Sequence, residues 1–127
     1  MKRVDTVQLL EEVFDSVQSI GLEKGDVKFV YLFGSYIEDP EFARDIDICI
    51  SVESEEPEKV EMRLNGRLRE ELDLSVFEAL PLNVKNQVFS GELLYSKDKS
   101  VYDEAFKTFR DFESFQPLYK TSIGVDT

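Results

Sequence analysis

Asp45 and Asp47 stand two apart in the run Arg44-Asp45-Ile46-Asp47-Ile48. On an extended strand that spacing aims both carboxylates to one side. Two such groups repel each other, and a Mg²⁺ ion held by oxygen ligands is the usual compensation. Asp73 interrupts the apolar positions Leu72, Leu74 and Val76. If its strand pairs with that of Asp47, three carboxylates surround one position, which suits metal-assisted phosphoryl transfer. Gly34-Ser35 closes an apolar run, with nine residues between Ser35 and Asp45. Glycine there lets backbone come close to a ligand, and the amides with the Ser35 hydroxyl can bind phosphate oxygens. Each part is weak alone. Acids occupy 27 of 127 positions, so acid-x-acid pairs arise by chance; a lone Gly-Ser pair is ordinarily a turn, and Asp73 by itself reads equally as a solvated edge residue. The conjunction in one strand context is what points to a nucleotide and metal site.

Those residues need elements to hold them. Leu10, Val13, Phe14, Val17 and Ile20 recur at helical spacing, and Gly21 is the stop signal. Val27 to Phe33 is rich in β-branched and aromatic residues and predicts a strand ending at Gly34. Ile46 to Val52 predicts a second, with Ile46, Ile48 and Ile50 on one face and Asp45, Asp47 and Cys49 on the other. Pro57 opens a helix running to about Leu68, and Leu72 to Phe77 is a third strand. Pro81 opens a short helix closed by Gly91, and Glu92 to Tyr95 is a short edge strand. Ser100 with Asp103 forms a capping-box-like start to the last helix. Along it run Tyr102, Ala105, Phe106, Phe109 and Phe112; a docking face is one reading, and core packing against a sheet is the expected one. The order predicts an α/β fold, a small mixed β-sheet with helices packed mainly on one face. Residues 1–118 form one domain, and 119–127 are expected to be a flexible tail.

Composition limits the chemistry further. There is no histidine, which removes imidazole bases and Ser-His-Asp triads. Fifteen Lys and Arg face 27 Asp and Glu, a formal net charge of −12 that repels phosphate backbones. No direct nucleic acid binding is expected; a basic partner or a divalent cation is. The one cysteine, Cys49, lies in an apolar run and cannot form an internal disulfide. No apolar run approaches the roughly 20 residues that span a bilayer. The expected location is cytoplasmic.

The stretch Tyr31-Leu32-Phe33-Gly34-Ser35 with Asp45-Ile46-Asp47-Ile48 resembles the signature of the minimal nucleotidyltransferases (MNT) of the DNA polymerase β-like superfamily. The likeness continues through Leu72-Asp73-Leu74 and through Val88, Gly91 and Glu92 to Tyr95 ahead of the final helix. Length and helical tail are similar to the MNT antitoxins of HEPN–MNT toxin–antitoxin pairs. The resemblance implies that Asp45, Asp47 and Asp73 are catalytic and hold Mg²⁺. It implies that Gly34 and Ser35 bind the phosphates of ATP, and that AMP passes to a tyrosine of a HEPN RNase toxin. A homo-oligomer and a hetero-oligomer both stay open. The chain departs from the family form in two ways. The loop before Asp45 is one residue shorter, and Tyr36-Ile37-Glu38-Asp39-Pro40-Glu41 follows Gly-Ser where the family carries basic and glycine residues. A second function therefore stands beside the first: a catalytically degenerate acidic antitoxin that neutralises a basic RNase by binding. Transfer to a small molecule is disfavoured, because no second domain is evident to form that pocket.

Overall fold

The computed structural model describes the backbone of residues 4–122 and the side chains of residues 4–114. Helix α1 (Thr6–Ser19) begins where the Asp5 carboxylate accepts the Val7 and Gln8 amides at 3.0 and 3.4 Å. It ends in a Schellman arrangement: the Gly21 amide donates to the Gln18 carbonyl and the Leu22 amide to Val17. Gly21, at φ 93°, takes the left-handed turn that this ending requires. The buried face is Leu9, Val13, Ser16 and Val17. Leu10 and Phe14 are only half-buried, so the helix is rotated by part of a turn from the expected stripe.

Strands β1 (Val27–Phe33), β2 (Ile46–Val52), β3 (Leu72–Val76) and β4 (Glu92–Ser96) form one sheet in the order β3-β2-β1-β4. β1 runs antiparallel to both β2 and β4, while β2 and β3 are parallel. A single turn, α2 (Ser35–Glu38), follows β1. Helix α3 (Pro57–Asn65) makes the crossover that parallel pairing of β2 and β3 demands. It ends at Gly66, earlier than the expected Leu68. Helix α4 (Leu82–Val88) precedes β4, and α5 (Ser100–Ser122) is last.

The mixed sheet is the expected one, covered unequally. The larger buried cluster unites Leu9, Val13 and Val17 of α1 and Val60 and Leu64 of α3 with Val30, Leu32, Ile46, Ile48, Ile50 and Leu74. The opposite face holds a smaller cluster, Phe29, Tyr31, Phe33, Cys49, Phe77, Val88 and Val101, with α4 and α5 over it. Rings of Phe29, Tyr31, Phe77 and Phe89 meet mostly edge-to-face, 5.2 to 5.8 Å apart.

One sheet edge is closed by side chains. The Asn65 side-chain amide bonds both the N–H and the C=O of Leu74, at 2.9 and 2.8 Å, and the Glu61 carboxylate accepts the Val76 amide at 2.8 Å. These bonds occupy backbone groups of β3 that would otherwise offer themselves to another strand.

The aromatic stripe on α5 is not core. Among the described side chains of the helix, Val101 and Thr108 are the buried positions, and Ala105 and Phe112 are half-buried beside them. Tyr102, Phe106 and Phe109 remain 63%, 69% and 42% exposed. The four rings already under α4 fill this face of the sheet, so the helix seats its smaller residues instead. Of the tail expected over 119–127, the backbone of 119–122 is the end of α5, and 123–127 lie outside the described residues. No helix among the described residues is long and apolar enough to cross a membrane.

Candidate active site

The second face of the sheet carries polar residues at one end. Asp47 pairs with Phe33 across the antiparallel ladder and with Asp73 across the parallel one. Directly paired residues present their side chains to the same face, so Asp47 and Asp73 are neighbours by register. Asp45 lies two residues upstream of Asp47, just before β2 begins. The three aspartates named from sequence are thus brought to one end of adjoining strands.

Their electrostatics agree. Burial, followed by the charges of Asp73 and Asp45, pushes the Asp47 carboxyl up from its ordinary 3.8 to about 6. Asp47 is half-buried, whereas Asp45 and Asp73 are exposed. Deeper on the same face, burial raises the Cys49 thiol well above its usual range, with Glu78 and Glu61 adding to the effect. That thiol is inert packing rather than a nucleophile.

Gly34 meets this cluster from β1. Its φ of 80° lies in a region that side-chain-bearing residues avoid. A Cβ placed on it would collide with Oδ2 of Asp47. Glycine is therefore required twice over, by conformation and by the carboxylate against its backbone. The Gly34 carbonyl accepts the Ile37 and Glu38 amides at 3.1 and 3.3 Å, which turns the chain into α2 and leaves Ser35 exposed at its start. With the Ile37 and Glu38 amides taken by Gly34, the Ser35 and Tyr36 N–H groups are the donors this corner can offer an anion.

Two recesses flank the corner. One, of about 270 Å³, is lined by Gly34, Ile37, Glu38, Gln87, Ser90 and Gly91. The other, of about 380 Å³, is lined by Ser35, Glu38, Asp39, Phe42, Arg44 and Asp45 with Ala43. Gly91 admits the α4–β4 corner to this place, since a Cβ on it would strike the Leu32 carbonyl. Gln87 and Ser90 were not foreseen from sequence. Polar residues beside a glycine at a helix end look like any loop until the fold sets them against Gly34.

Among the described residues, no three acid or thiol side chains are gathered tightly enough to enclose a metal ion by themselves. Magnesium seldom asks for such a cage: it takes one or two carboxylates and completes its shell with substrate phosphates and water. Hard oxygen donors, mutual repulsion at Asp47 and an adjacent open recess at Gly34 fit that requirement.

Residues 15–100 match the family described as Polymerase beta, Nucleotidyltransferase. No curated protein is similar enough in sequence to count as a match. Among solved structures, a toxin–antitoxin crystal structure with AMP-PNP contains a chain 19% identical, at a TM-score of 0.68, covering 94% of this chain and 95% of that one. A complex of tri-AMPylated Shewanella oneidensis HEPN toxin with MNT antitoxin has a chain 20% identical, at 0.63, covering 93% and 91%. A further Shewanella oneidensis structure is 18% identical, at 0.62, covering 95% of both chains. At these identities the likeness is one of fold. With a family match across more than half its length, a mixed four-stranded sheet and an Asp-x-Asp pair facing a glycine turn, this chain belongs to the polymerase β nucleotidyltransferase family.

Proposed function

We propose that this chain is a Mg²⁺-dependent adenylyltransferase that transfers AMP from ATP to a tyrosine hydroxyl on a HEPN-type toxin, acting as its antitoxin. The observation that carries the reading is the register of Asp47 against Asp73, with Asp45 beside them and Gly34 packed on Asp47. In the reaction the tyrosine oxygen forms a bond to the α-phosphorus of ATP. The bond from that phosphorus to the bridging oxygen breaks, and pyrophosphate leaves with its electron pair. Asp73, exposed at the mouth, accepts the tyrosine proton. Asp45 and Asp47 would hold Mg²⁺, whose chemistry is to offset charge on the phosphates. The Gly34-Ser35 corner holds the outer phosphates, and the recess at Gln87 and Ser90 provides room for the remainder of the nucleotide. The toxin–antitoxin structures of the same fold, one with AMP-PNP and one with an AMPylated HEPN toxin, support this choice of donor and acceptor.

The direct test uses ATP labelled at the α-phosphate and a purified HEPN-type toxin as the acceptor. Label should reach the HEPN protein with Mg²⁺ present and disappear with Asp45→Asn/Asp47→Asn. Transfer that survives the double substitution overturns the site.

One feature favours a second reading, an acidic antitoxin that acts by binding alone. Glu38 lines both recesses and Asp39 one of them, next to where phosphates would sit. Under that reading the double substitution still neutralises the toxin, and Mg²⁺ with ATP gives no thermal stabilisation.

A further inference from the structure

Helix α5 has two lines of apolar residues, and the interior of the protein uses one. Val101 and Thr108 are buried, with Ala105 and Phe112 half-buried beside them. The outer line, Tyr102, Phe106 and Phe109, is spaced by four and then three residues, one continuous strip on the solvent side. Tyr102 and Phe106 are more than three-fifths exposed and stand one turn apart. Phe109 meets the ring of Phe89 at the inner edge of the strip, at a ring separation of 6.3 Å. A lone exposed ring needs no explanation, but a row of three along one helix marks a surface that another molecule covers.

The charges beside the row say which molecule. Asp103 and Arg110 are both exposed, seven residues apart and therefore on the same flank of the strip. Among the described residues neither takes part in an ion pair. Were a second α5 laid parallel, a two-fold axis along the helices would set this flank against the opposite flank of the partner, and Asp103 would not meet Arg110. Laid antiparallel, each acid meets a base, twice, about a two-fold axis between Phe106 and Phe109. Paired helices use flanking charges in this way to set direction and partner, and a two-fold contact must be self-complementary. The net charge of −12 works against contact between copies, and pairing of Asp103 with Arg110 offsets that repulsion locally along this flank.

We propose that two copies of this chain associate through the outer face of α5, antiparallel, with Tyr102, Phe106 and Phe109 interleaved and Asp103 paired with Arg110 across the axis. The contact is a single helix seam, smaller than a standard interface, which places it in the weak, reversible class.

Sedimentation velocity of the full chain from 5 to about 300 µM in 150 mM salt tests this. The weight-average mass should rise from 14.7 kDa towards twice that value, with a dissociation constant on the order of 10 µM. Phe106→Ser should abolish the rise while leaving circular dichroism and melting temperature unchanged, since the ring it removes is exposed. Arg110→Asp should weaken association at least tenfold, and Asp103→Arg/Arg110→Asp should restore it, because the swap rebuilds both pairs. A wild-type chain that stays at 14.7 kDa throughout overturns the proposal and leaves the strip to a different partner protein. Dimers that persist with Phe106→Ser, or a double swap that fails to restore association in a folded chain, overturn it equally.

Discussion

Gly34 and Asp47 constrain each other. The carboxylate lies where a Cβ on Gly34 would be, and the φ of 80° disfavours any other residue there. Gly34→Ala is therefore expected to cost about 1–3 kcal/mol of stability, read from urea denaturation, and to displace Asp47 with loss of nucleotide binding. An unchanged midpoint would show that the corner is not under this constraint. Asp47 also makes stability depend on pH. Its native carboxyl titrates near 6 rather than 3.8, so the native state holds that proton more tightly than the unfolded chain. The resulting stabilisation is complete below the ordinary value and is lost as pH rises through about 6. In chelator-containing buffer, Asp47→Asn should raise the melting temperature at pH 7.5, on the order of 3 °C, and by less at pH 5. A gain of the same size at both values would exclude charge repulsion as its source.

At the scale of elements, β3 depends on α3. Asn65 supplies both partners of the Leu74 backbone, and Glu61 supplies one for Val76. Asn65→Ala leaves those groups without them and should cost about 2–3 kcal/mol. Because β3 carries Asp73, the same substitution should weaken Mg²⁺-dependent nucleotide binding although Asn65 touches neither ligand. Calorimetric titration checks this, and binding equal to wild type would uncouple the edge from the site. Sequence periodicity located β1 and β2 at their observed bounds and put Asp47 on the face opposite Ile46 and Ile48, because alternation along a strand is local. The role of Asn65 was not legible. It follows from a helix end lying beside a strand nine residues on, and no local pattern encodes that approach.

Over the whole molecule, 27 acids against 15 bases make self-repulsion a standing cost. Raising NaCl from 20 to 300 mM should lift the melting temperature by a few degrees in wild type and in Asp45→Asn/Asp47→Asn alike. Millimolar Mg²⁺ at constant ionic strength should add a further rise only in wild type, through binding at the site. An equal Mg²⁺ effect in both would reduce it to general screening. The sequence by itself determined the strand pattern, the missing imidazole, the acidic balance and the candidate residues Gly34, Ser35, Asp45, Asp47 and Asp73, since these are matters of residue type and short-range spacing. Only the tertiary structure decided that Asp47 faces Asp73, that Gln87 and Ser90 stand at the Gly34 corner, and that Tyr102, Phe106 and Phe109 look outward. The physical reason is that each is set by residues distant in the chain. Periodicity reports that a helix or strand has an apolar side, but which of two adjacent lines is covered depends on the volume already filled by residues distant in the chain, here Phe29, Tyr31, Phe77 and Phe89.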